Sequence, residues 1–134
     1  MNLPLRKPLP ARRASYRRHV TITTRLMDND IFGHVNNVTY YSFFDTAVCS
    51  TLVAGGIFRW DNPEHIMVVA ESGCRYHSEL AFPDRVTAGL RVTRLGTSSV
   101  RYEIGIFRED EDAASAEGHF VHVCVAAATR RPTP

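Results

Sequence analysis

The stretch Asp28-Asn-Asp-Ile-Phe-Gly-His-Val-Asn-Asn37 is followed one residue later by Thr39-Tyr-Tyr-Ser-Phe-Phe-Asp-Thr-Ala-Val-Cys-Ser-Thr-Leu-Val-Ala54, and the pair divides the chain into two regimes. The first part is polar, carries Gly33 and two adjacent asparagines, and reads as a structured loop. In the second, Tyr40, Phe43, Phe44, Ala47, Val48 and Leu52 recur at helical spacing. Tyr41 and Val53 widen that stripe, so a helix over 39–54 is expected. Asn36 or Asn37 offers an N-cap and Gly55-Gly56 a stop. Asp45 is the only charge in this segment. A helix so apolar has to be wrapped by other parts of the chain.

The wrapping is read outward from it. Upstream, residues 19–26 set Val20, Ile22 and Leu26 against Thr21, Thr23 and Arg25, the alternation of a half-buried strand. Downstream, residues 66–80 form a long strand candidate interrupted by Gly73, where a bulge or a close backbone approach is expected. Pro83-Asp84 marks a turn, Val86 to Leu95 alternates, Gly96-Thr97-Ser98 turns again, and Val100, Tyr102, Ile104 and Ile106 alternate most cleanly. An acidic, exposed turn from Glu109 to Asp112 precedes the last strand, 118–127. Strands joined by turns this short pair antiparallel. The fold class expected is therefore α+β, one long central helix wrapped by a curved five-stranded antiparallel sheet. A sheet covered by a single helix keeps a face and edges open, which predicts a homodimer and a dimer of dimers, a homotetramer.

Composition bounds the rest. With 134 residues, 44% of them hydrophobic, the chain suits one globular domain. No apolar run approaches the ~18–20 residues of a membrane-spanning helix, and no apolar stretch follows the basic N-terminus as in a secretory signal. Cys49, Cys74 and Cys124 are odd in number, widely spaced and without a CxxC pair, so a reducing cytoplasm is expected. Net charge is +2, unevenly spread. Arg6, Lys7, Arg12, Arg13, Arg17 and Arg18 fall in residues 1–18 with no acid among them, leaving ten cationic against 14 acidic side chains in the remainder. Residues 1–18 are accordingly expected to be a disordered basic arm and 19–131 the folded domain. The only aromatic among the arm's arginines is Tyr16 and the domain is acidic, so nucleic acid is not an expected partner.

The order of elements and the segment from Arg25 to Asp45 resemble the hotdog-fold thioesterases of the 4-hydroxybenzoyl-CoA thioesterase type. The shared pattern is Asp28-x-Asp30-x-x-Gly33-His34-Val35-Asn36-Asn37 with Tyr40 following. Ala70-Glu-Ser-Gly-Cys-Arg-Tyr76, Phe82-Pro-Asp84 and Gly118-His-Phe-Val-His-Val123 are similar to later parts of that family. The resemblance covers roughly residues 19–131.

It implies an acyl-CoA thioesterase that needs no cofactor, coenzyme A arriving as the substrate thioester. Thioester hydrolysis needs a carboxylate to activate water or attack the carbonyl, and donors for the oxyanion. The resemblance gives the first role to Asp30 and leaves Asp28 structural. It gives the second to amides at the helix start, near Asn36, Asn37 and Val38, where unpaired N–H groups and the helix dipole favour an anion. Some family members have tyrosine at the position of Asn37. Gly33, His34, Tyr40, Ser72 and Gly73 are the remaining candidates for the substrate pocket, with Glu71 a secondary carboxylate. His34 also allows a hotdog hydratase or dehydratase, and a non-catalytic acyl-binding protein stays open. His77, His119 and His122 alternate with apolar residues and are expected at the surface or an interface. They lack metal-ligand spacing, so no metal is expected. Arg75, Arg94, Arg130 and Arg131 are available for the phosphates of coenzyme A.

Overall fold

The computed structural model describes residues 9–57 and 64–134. Five strands, β1 (Arg18–Thr23), β2 (His65–Tyr76), β3 (Arg85–Leu95), β4 (Ser99–Arg108) and β5 (Ala116–Ala126), form one sheet in the order β1-β3-β4-β5-β2. Every neighbouring pair is antiparallel. The helix α1 (Thr39–Ala54) lies between β1 and β2 in sequence, carrying the chain from one edge of the sheet to the other. The α+β arrangement and the helix bounds match the sequence reading. Strand ends differ by a few residues. Leu26 leaves the strand pattern, because the chain turns into a short 3-10 segment, Leu26–Asp28, and Leu26 is exposed.

The core is the interface between α1 and the sheet. Tyr40, Phe43, Phe44, Ala47, Val48 and Leu52 of the helix are all buried, against Val86, Ala88, Leu90, Tyr102, Ile104, Ile106, Ala116 and Phe120 of the strands. Phe44 is fully buried against the sheet, because Gly118 has no side chain: a Cβ there would overlap its ring. The other side of the helix is exposed at Ser42, Asp45, Thr46 and Val53.

The strand β2 changes register between Val69 and Glu71, a bulge at Ala70 and not at Gly73. The expected close approach does occur at Gly73, where the His119 ring lies over the glycine.

Part of the expected arm is ordered. Residues 1–8 lie outside the described residues, but the segment from Ala11 to Tyr16 packs on the sheet face opposite α1. Tyr16 is buried beside Phe107, ring centroids 5.7 Å apart, and spans the register pair Gly89 and Gly105. Arg12 pairs with Asp112 at 2.8 Å, and the Arg13 guanidinium donates to the carbonyls of Glu109 and Glu111. The acidic turn that charge counting treated as bare surface is the docking point of this basic segment.

Candidate functional site

The loop before α1 is built around two aspartates with different duties. Asp28 is 3% exposed, and its carboxylate accepts the Arg25 backbone N–H at 2.7 Å and the Arg25 guanidinium at 3.2 Å. Its carbonyl accepts the Asn36 N–H at 2.8 Å, so Asp28 ties the two ends of the loop together. Asp30 stands at the tip. Its N–H donates to the His34 carbonyl at 2.9 Å and its carbonyl accepts the Gly33 N–H at 3.1 Å, a turn that needs Gly33 at φ +82°. Oδ1 of Asp30 accepts the Phe32 N–H at 2.9 Å. Oδ2 has no partner among the described residues.

The helix start separates the two asparagines. Asn36 Oδ1 accepts the Val38 N–H at 3.1 Å and its carbonyl accepts the Thr39 N–H at 2.9 Å. Asn36 therefore satisfies the first amides, although the residue at the cap position itself is Val38. The Asn37 N–H has no acceptor among the described residues, and the Asn37 carbonyl accepts the Tyr76 hydroxyl at 2.9 Å. A free amide at the positive end of a helix of 16 residues is an anion-favouring group.

A cavity of about 290 Å³ joins these pieces, lined by Asp30, His34, Asn37, Tyr40, Tyr76 and Glu79 among others. His34 Nε2 lies 2.8 Å from Glu79 Oε2. Burial pushes the Tyr40 phenol up to about 12 and raises that of Tyr76 further, so both stay neutral donors. Asp30, His34, Asn37 and Tyr40 thus meet, with Gly33 and Asn36 shaping the backbone beneath them. Val38 and Ser72 line an adjoining recess. Gly73 does not join: it opens onto the opposite face of the sheet with Arg75, as does Glu71, whose carboxylate meets His119 at 2.8 Å. Adjacent strand residues face opposite ways, which is why Ser72 and Gly73 part.

Two histidines depart from expectation. His122 is 3% exposed and faces α1 from β5. The His77 side chain is buried where its Nε2 meets Glu117 Oε2 at 2.6 Å, and His77 borders the Asp30 cavity. Tyr76, His77 and Glu79 were missed because they lie at the last residue of β2 or just beyond it. Only the three-dimensional return of that strand to the helix start brings them near Asp30. Of the arginines considered for phosphate, Arg75 lies on β2, Arg94 at a register shift of β3, and Arg130 and Arg131 beyond β5. Among the described residues no three His, Cys, Asp or Glu side chains are grouped to hold a metal ion, and no helix is long and apolar enough to cross a membrane.

A family model for the thioesterase superfamily matches residues 32–115. The chain belongs to the thioesterase superfamily. As a superfamily thioesterase it is a thioester hydrolase, and its helix-on-sheet architecture is the hotdog fold. No protein with a curated description matches the sequence. Among solved structures, this thioesterase is similar to a protein of Pseudomonas aeruginosa strain PAO1, with 48% identity, 92% of this chain and 87% of that one covered, and a TM-score of 0.90. A second Pseudomonas aeruginosa protein, for which thioesterase activity has been proposed, shares 32% identity over 87% of this chain and 89% of its own, with a TM-score of 0.80. The DHNA-CoA thioesterase of Staphylococcus aureus has the same fold at 20% identity, covering 85% of this chain and 77% of its own, with a TM-score of 0.77.

Proposed function

We propose that this thioesterase hydrolyses acyl-CoA thioesters, with Asp30 as general base and the Asn37 amide as oxyanion donor. The observation that carries this reading is the cavity shared by the unpartnered Asp30 Oδ2 and the unpaired Asn37 N–H. Asp30 takes a proton from water as the water oxygen bonds to the thioester carbon. The carbonyl oxygen gains the electron pair at the helix start, where the amide and the dipole stabilise it. The C–S bond then breaks, and the departing thiolate takes the proton back from Asp30. His34, held by Glu79, and the Tyr40 and Tyr76 hydroxyls line the approach. No cofactor takes part, and coenzyme A is a portion of the substrate. Arginines outside the cavity receive its phosphates.

The test is Asp30→Asn, assayed by release of free thiol from an acyl-CoA panel. Loss of at least about a hundredfold in kcat with an unchanged melting temperature is expected. Near-normal turnover overturns the assignment. The His34–Glu79 pair is the one feature favouring a second reading, hydration of an enoyl-CoA. That reading requires consumption of the enoyl thioester with no thiol released.

The unpaired edge of β2, 12 residues long with Val68 and Val69 exposed, is suited to pairing with the same strand of a second copy. That edge supports a homodimer, for which we propose further assembly as a dimer of dimers. Three free cysteines accord with a cytoplasmic setting.

A further inference from the structure

We propose that His122 is a specificity residue that reads a neutral hydrogen-bonding substituent on the acyl group, at the far end of a groove between α1 and β2. This rests on the acyl-CoA reading above. A cavity of about 290 Å³ lies among Asp45, Cys49 and Leu52 of α1, Met67 and Val69 of β2, and His122 of β5. The adjoining recess is formed by Val38, Tyr41 and Ser42 of the helix and by Ser72, and it shares Asp45 and Val69 with that cavity. The two therefore make one groove. It starts at Val38, next to the free Asn37 amide, and reaches Cys49 about 16 Å further along the helix at ~1.5 Å per residue. An acyl chain whose carbonyl sits at the helix start has this groove as its continuation.

The groove is walled by Leu52, Met67 and Val69, yet ends at an imidazole. His122 is clamped between Phe120, stacked at 5.9 Å, and Tyr102, edge-on at 5.4 Å. Nδ1 is sealed without a partner among the described residues. Burial lowers its proton affinity, so at neutral pH the ring is uncharged. With Nδ1 sealed, Nε2 is the nitrogen left to meet a ligand, as donor or acceptor according to the tautomer. The Cys49 thiol is directed to Asp45, at 3.6 Å, and does not serve the ring. An alkyl tail fills such a groove and leaves the ring unmet. A hydroxyl or carbonyl at the tail meets it. A site built around a buried hydrogen-bonding group discriminates strongly against the analogue lacking the partner. Asp45, exposed at the groove, repels an anionic tail, which makes a neutral substituent the match.

The experiment compares kcat/KM for decanoyl-CoA and ω-hydroxydecanoyl-CoA, in the wild type, His122→Phe and His122→Gln. The wild type is expected to favour the hydroxylated substrate about tenfold, a ratio lost in His122→Phe and partly kept in His122→Gln. Equal wild-type rates, or a preference that survives His122→Phe, overturn the inference while the thioesterase reading stands. Absence of thiol release from these and from butanoyl-CoA overturns that reading instead. Calorimetric binding of ω-hydroxydecanoate against decanoate then decides the role of His122: a wild-type preference lost in His122→Phe upholds it, and equal affinities overturn it.

Discussion

The Asp28 carboxylate holds the Arg25 backbone N–H at 2.7 Å while the Asp28 carbonyl holds the Asn36 N–H at 2.8 Å, so one buried residue spans the entrance and exit of the loop that presents Asp30. The two aspartates are consequently separable by experiment. Asp28→Ala leaves a part-buried N–H without an acceptor and a guanidinium without its partner. It should cost about 2 kcal/mol in a urea unfolding titration. Activity should fall as well, because Asp30 loses its fixed tip. Asp30→Asn, half-exposed and bonded only to its own turn, should fall in activity alone. A stable Asp28→Ala protein with full activity would show that the loop does not need this brace.

Tyr16 lies over Gly89 and Gly105, where a methyl at either position would press into the ring at under 3 Å. Gly105→Ala should therefore destabilise by roughly 1–3 kcal/mol through overpacking, and Tyr16→Ala by about 3 kcal/mol through the lost aromatic. In the Tyr16→Ala background, Gly105→Ala should be close to neutral. A double-mutant cycle measured by chemical denaturation gives the coupling directly. Additive costs would mean that Tyr16 does not occupy this place in solution.

His122 also supplies a stability-versus-pH signature. Burial depresses its proton affinity in the folded state below the usual value of 6.5. The unfolded chain takes up a proton near pH 6.5 that the folded chain refuses until lower pH. Stability is therefore intact above about pH 6.5 and declines as pH falls from there toward the folded value, by at most about 1.4 kcal/mol per pH unit. Unfolding titrations from neutral pH down to pH 5 should show a steeper decline for the wild type than for His122→Phe. Parallel curves would contradict the burial of a neutral ring.

The helix was legible because its period is local: six apolar residues at helical spacing meet the sheet as the spacing requires. Asp30, Gly33 and Asn37 were legible because the loop and helix start adjoin in sequence. The partners that complete the cavity, Tyr76 and Glu79, arrive from 39 or more positions away, and no local pattern encodes that return. Charge misled at the N-terminus, where Arg12 and Arg13 look like a free basic tail until Asp112 and the carbonyls of Glu109 and Glu111 receive them. Alternation puts His119 and His122 on opposite faces of β5 without saying which face meets α1. The side facing α1 follows from Gly118 lying under Phe44, two and four residues before Phe120 and His122.

The bulge at Ala70 acts as a change of counting parity in β2. Beyond it, Ser72, Cys74 and Tyr76 turn toward the helix, and before it Met67 and Val69 do, so even and odd positions trade sides at a single residue. Both stretches thus furnish one continuous wall, which a regular strand of this sequence would break midway. Deleting Ala70 would keep the composition of the strand nearly intact and still turn part of that wall outward, exchanging Met67 and Val69 for neighbours such as Val68. In this edge strand, a single residue without a pairing partner decides which side chains a substrate meets.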